Sequence, residues 1–91
     1  MNKENLDYLQ SKFHDKNSKF YSSQYEILRD NDKSIVLKLD INVLQKDIEQ
    51  IITELNERHL YISLLLICSD EIENEHLVIG ITEAEIDKAI F

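Results

Sequence analysis

The apolar positions of this chain change their period several times, and each change marks an element. Leu6, Leu9 and Phe13 recur at helical spacing, which predicts an amphipathic helix from Asn2 to about Asp15. Asn2 is its expected cap, and Glu4 suits the positive end of the helix dipole. Asp15-Lys16-Asn17-Ser18 has no apolar residue and reads as a loop. From Phe20 to Arg29 the period falls to two, with Tyr21, Tyr25 and Ile27 on one strand face. Asp30-Asn31-Asp32-Lys33 is a turn cluster. Ser34 to Ile41 then alternates again, placing Ile35, Leu37, Leu39 and Ile41 opposite Val36, Lys38 and Asp40, so a hairpin is expected.

Leu44, Ile48, Ile51, Ile52 and Leu55 form the longest helical stripe, with Gln45, Lys46, Glu49, Gln50, Thr53, Glu54 and Glu57 on the wet face. Either Asp40 or Asn42 is the expected cap, and Glu54 and Arg58 are spaced for an ion pair along the helix. Leu60 to Cys68 is the most apolar run and does not alternate. That pattern predicts a central strand covered on both faces, or a strand whose second face meets another chain. His76 to Ile81 reads as the last strand. Thr82-Glu83-Ala84-Glu85 is a capping box that opens a third helix running to Phe91, with Ile86 and Ile90 on one face. The order is α-β-β-α-β-β-α in a single domain of residues 1–91. The expected fold is α+β, a four-stranded, mainly antiparallel sheet with three helices. Ile35-Val36-Leu37-Lys38-Leu39 and Leu77-Val78-Ile79-Gly80-Ile81 echo one another, a hint of two ββα units.

Composition narrows the class. One Gly and no Pro argue for dense secondary structure, and a single Cys excludes an internal disulfide framework. No stretch is apolar for long enough to span a membrane, and the polar start, Met1-Asn2-Lys3-Glu4-Asn5, has no apolar leader, so a cytoplasmic protein is expected. The net charge is −8 and it is unevenly placed: residues 1–46 hold eight bases and seven acids, residues 47–91 two bases and eleven acids. Such an anion disfavours direct binding of nucleic acid or anionic membrane and favours a basic partner protein, although solubility alone is a sufficient reason for an acidic surface.

Candidate chemistry is sparse. Gly80 stands alone, so there is no glycine-rich phosphate loop, and neither the Cys nor the His spacing matches a metal site; no cofactor or metal is expected. His76 beside Glu73 and Glu75 is the one arrangement resembling an acid/base pair, which would make a small hydrolase. His59 is expected as a cation at a helix C-terminus, His14 as a solvated residue at a frayed helix end, and Cys68 as a small core residue.

A binding function is the stronger expectation. Asp70, Glu71, Ile72, Glu73 and Glu75 place four carboxylates around one apolar residue, and Glu83 and Glu85 follow closely. A charged loop is usually only a solvated loop; its sharper reading is an edge that recognises a Lys/Arg-rich surface. On this reading the chain is a non-enzymatic intracellular inhibitor, like a toxin immunity protein or a phage-encoded inhibitor, that occludes a nucleic-acid-binding or nuclease surface. The alternative is a small dimeric chaperone or adaptor working through apolar sheet surface. Tyr61, Leu65 and Ile67, sharing the second face of the apolar strand by simple alternation, are the dimer-interface candidates.

Overall fold

A computed structural model of the chain describes residues 1–45, 47–69 and 75–83, with only the main chain at 44 and 45. Helix α1 spans Lys3–His14. It is followed by strand β1 at Tyr25–Asp30, β2 at Ser34–Asp40, a 3-10 turn at Ile41–Gln45, helix α2 at Ile48–Glu57, β3 at Tyr61–Ser69 and β4 at Glu75–Thr82. The four strands form one antiparallel sheet in the order β1-β2-β4-β3, so the fold is α+β. The described residues hold two α-helices; the expected third, over 82–91, lies outside them except for Thr82 and Glu83. Thr82 ends β4, and its hydroxyl donates to the Lys33 carbonyl at 3.3 Å.

The elements follow from their residues. Asn2 caps α1 as expected, its side-chain oxygen accepting from the Asn5 amide at 2.9 Å. β1 begins later than its alternation suggests. Phe20 to Gln24 form a loop instead, because Phe20 is buried in the core and Ser22, also buried, accepts from the Asp40 amide at 2.9 Å. α2 also begins late. The 3-10 turn follows Asp40, and neither Asp40 nor Asn42 caps the helix; Asp47 does, accepting from the Gln50 amide at 3.1 Å. At its other end the Leu60 amide bonds to the Leu55 carbonyl at 2.9 Å and the His59 amide to the Asn56 carbonyl at 3.0 Å. These two bonds make a Schellman cap, and Leu55 and Leu60 close it as a buried apolar pair. His59 occupies the left-handed position at φ 58°, where glycine is usual. The backbone reversal into β3 therefore runs through this position.

β2 and β4 are the central strands. Ile35, Leu37 and Leu39 face Ile81, Ile79 and Leu77 across the ladder, and all six are buried. The two echoing segments are thus paired with each other, and their likeness reflects shared burial. Leu9 and Phe13 of α1, Ile51 and Leu55 of α2, Phe20, Val43 and Leu60 complete one cluster on this side of the sheet. Both helices therefore lie on one face. Ile52, expected in the stripe, is 39 % exposed, since it sits where the helix surface turns away from the sheet; the Leu44 side chain lies outside the described residues.

The strand β3 differs most from expectation. It is an edge strand, not a central one, because its sequence neighbour β4 is already paired with β2 on the other side. Its register with β4 shifts between Ile62 and Leu64, a bulge at Ser63. Before the bulge Ile62 faces the core opposite Ile81; after it Leu65 and Ile67 share that face, opposite Ile79 and Leu77. Tyr61, Leu64, Leu66 and Cys68 lie on the other, open face, which neither described helix covers. The extra residue thus puts Tyr61 on the opposite side of the sheet from Leu65 and Ile67, overturning the shared face that simple alternation gives. Gly80 lies opposite Leu64, beneath the bulge. A Cβ there would come 2.9 Å from the Ser63 Oγ and 3.0 Å from the Leu64 Cβ, so the close approach depends on glycine.

Ile51 and Ile52 test this packing. Ile51→Ala should cost about 2–5 kcal/mol through a lost core contact and a cavity, and Ile52→Ala less than about 1 kcal/mol. Urea denaturation of both variants measures the difference; equal losses would place the wrong face of α2 on the sheet.

Candidate functional site

Three regions can carry chemistry or recognition. The first is the distal part of β3. Leu64, Leu65, Leu66 and Ile67 are 36, 42, 50 and 58 % exposed, a run of four large apolar side chains open to solvent on both faces of the sheet. Geometry explains the overhang. A ten-residue helix extends about 15 Å and a nine-residue strand about 30 Å, so α2 shields only part of β3. The strand carries no charged residue and no proline, the usual protections of a free edge. The other edge, β1, has three charged side chains, Glu26, Arg29 and Asp30, and a bulge near Leu28. The two edges of the sheet are therefore guarded very differently. Of the expected interface residues, Leu65 and Ile67 belong to this exposed run; Tyr61 is half-buried at the start of the strand.

The second region is acidic. Asp70, Glu71, Ile72, Glu73 and Glu85 lie outside the described residues. Glu75 is exposed at the start of β4. Glu83 is engaged within the fold: its carboxylate accepts from the Asn2 amide at 2.7 Å, the Asn2 side chain at 2.9 Å and the Asn5 side chain at 3.1 Å. An anion at a helix N-terminus is favourable, so Glu83 fastens α1 to the end of β4. Sequence reasoning had no signal for this, because the partners are 78 and 81 residues away. Around α2, Glu49 and Glu57 are exposed and Glu54 is partly so. The expected Glu54–Arg58 ion pair does not form: among the described residues the one ion pair joins the Met1 amine to Asp30 at 3.0 Å. The Arg58 guanidinium lies instead over the Tyr8 ring, 4.0 Å from its centroid. Burial first, then Glu54 and Glu57, raise the Tyr8 phenol above its ordinary pKa of 10.0, while Arg58 opposes them.

The third region surrounds His76. A groove of about 440 Å³ is lined by Tyr25, Glu26, Lys38, Asp40, Glu75 and His76 among others. On the open sheet face Cys68, His76 and Asp40 stand in register on β3, β4 and β2. This row has the residue types of a nucleophile, a base and an orienting carboxylate, yet no hydrogen bond links the three among the described residues. Asp40 accepts instead from the Ser23 amide at 3.1 Å and from the Ser23 hydroxyl, tying the loop before β1 to β2. No group of three His, Cys, Asp or Glu among the described residues is placed to hold a metal ion. Cys68 is partly exposed on the edge strand and not a core residue. His14, expected to be solvated, approaches the Tyr25 hydroxyl at 3.2 Å with its ring edge-on to the phenol. No described helix is long and apolar enough to cross a membrane.

Comparison with protein-family models, curated proteins and solved structures finds no match to this chain.

Two predictions concern these side chains. Glu83→Ala should destabilise the fold by about 1–3 kcal/mol, the cost of leaving charge-assisted bonds unmade, as read by denaturant titration; unchanged stability would remove Glu83 from the α1 clasp. For Tyr8, the difference in phenolate absorbance between wild type and Tyr8→Phe should titrate above 10.0, and Glu54→Gln should bring it down towards that value. The folded state then holds the phenolic proton more tightly than the unfolded chain. Its contribution is unchanged below pH 10 and is lost as pH rises above it. A midpoint insensitive to Glu54→Gln would contradict the placement of that carboxylate.

Proposed function

We propose that this chain is a non-catalytic protein-interaction domain whose working surface is strand β3. One observation carries the reading: Leu64 to Ile67 stand exposed on an edge strand without charge or proline. Burial of such side chains is the main driving force of association, and an unpaired edge adds main-chain hydrogen bonds that fix direction and register. The domain is thus an adaptor that presents a strand, with the helices and the central strands serving as its rigid support.

A second reading has separate support. Glu49, Glu57 and Glu75 are exposed with no ion pair to any described base, and the chain as a whole is strongly acidic. These carboxylates favour a basic partner, and occlusion of a nucleic-acid-binding or nuclease surface is the inhibitor function they suit.

The two readings differ in salt response. Tagged chain should retrieve its partner from the source cell equally well or better as salt rises from about 0.05 to about 0.5 M, because apolar contact is not screened. Leu66→Lys should abolish that capture. Capture that fades with salt and survives Leu66→Lys would replace the first reading with the second.

A further inference from the structure

We propose that the occupant of the β3 edge is a second copy of this chain, paired antiparallel about a two-fold axis near the middle of the strand, so that two four-stranded sheets join into one of eight. The proposal rests on β3 being an interaction surface and names what binds there.

Three observations select a second copy over a foreign strand. The first is charge. The chain carries −8, so two copies meeting over most of their surface would oppose carboxylates. From Tyr61 to Ser69 there is no Asp, Glu, Lys, Arg or His. Two β3 strands can therefore lie side by side without opposing formal charges, and β3 offers a basic strand no carboxylate. The second is the distribution of apolar side chains. Leu65 and Ile67 are exposed on the helix-bearing face, and Leu64 and Leu66 on the open face. An ordinary amphipathic strand would match only one of these faces; β3 itself matches both. The third is the contrast between edges. β1 has charges at three of its six positions and β3 at none of nine, so the same sheet blocks pairing on one side and permits it on the other.

A two-fold axis suits this arrangement, since antiparallel edge pairing is isologous and leaves no further β3 edge free, so assembly stops at two. The contact is small. An edge about 30 Å long and about 10 Å thick presents about 300 Å² per copy, well below the roughly 800 Å² per partner of a standard interface. The dimer is accordingly micromolar or weaker. It also tightens with salt, because added ions screen the repulsion between two like-charged copies.

Sedimentation equilibrium of the full chain from about 5 to about 500 µM, at low and high salt, tests the proposal over the range expected of so small an interface. The wild type should move from the 10.8 kDa monomer towards twice that mass, and further at high salt. Leu66→Lys and Ile67→Lys, each at a position half or more exposed, should stay monomeric with an unchanged circular dichroism spectrum. Filtered NMR on a mixture of labelled and unlabelled chain should show β3-to-β3 contacts between copies. A wild type that remains monomeric throughout overturns the second copy as occupant; if Leu66→Lys still abolishes partner capture, β3 survives as an interaction surface. A dimer that both Lys variants retain, without β3-to-β3 contacts, overturns the proposed interface and places association elsewhere. If either variant loses its native spectrum, the filtered NMR contacts of the wild type decide alone: their presence upholds the proposal and their absence overturns it.

Discussion

Everything in this fold depends on the ladder between β2 and β4. Ile35, Leu37 and Leu39 meet Ile81, Ile79 and Leu77 there, and these six side chains make the floor on which both helices rest. Pairing strands so far apart in sequence closes a long loop, and that entropy must be offset by burial. The burial is concentrated in these positions, where alternating apolar residues from each strand face one layer. Once β2 holds one side of β4, the hairpin from β3 can pair only on the other. The exposed edge is a consequence of the central ladder.

Much of this was legible in the periodicity. The alternation of Ser34 to Ile41 and of His76 to Ile81 marks both strands and their core faces, because a half-buried strand writes its burial directly into a period of two; it overruns only at Ile41, which opens the 3-10 turn and is half-buried. Asn2 was legible as a cap because capping is local. What failed was non-local. An apolar run looks the same whether its own chain covers both faces or leaves one to another chain, so Leu60 to Cys68 reads equally as a central strand or as one whose second face meets another chain; its place at the edge comes only from the topology. The bulge at Ser63 leaves no mark in β3; its only trace is Gly80, on the partner strand. Ile52 fits the helical stripe as well as Ile51, and only the packing of α2 separates them, burying Ile51 and leaving Ile52 exposed. The functional side was less legible still. Glu83 reads as part of a capping box and of the acidic edge offered to a partner, and only its bonds to Asn2 and Asn5 show that it holds α1 in place.

Charge and apolarity are kept apart on this molecule. The bases are few in the second half of the chain, and one of them, Arg58, is stacked on Tyr8, where its positive charge faces an aromatic ring and not Glu54. The described carboxylates of α2 are consequently left to solvent or to a partner. Strand β3 carries no such charge at all. An acidic surface and a neutral edge respond oppositely to ionic strength, so the two can operate on one small domain without competing: screening weakens what the carboxylates attract and strengthens what the edge joins.

The residues of the edge are not explained by the stability of a single chain. Leu66 and Ile67 are 50 and 58 % exposed, so much of their apolar surface gains nothing from the core of the isolated fold. A lysine at either position would keep its stem along the sheet and its charge in water, and would guard the edge as Glu26 and Arg29 guard β1. A small acidic domain built only to stay folded and dissolved would have charged residues there. Four consecutive large apolar side chains, on a strand whose backbone pairs along one side only among the described residues, make physical sense when a further strand completes the sheet. The demand for that strand comes from the place of β3 in the topology, and the demand that it be apolar on both faces comes from Leu64 to Ile67.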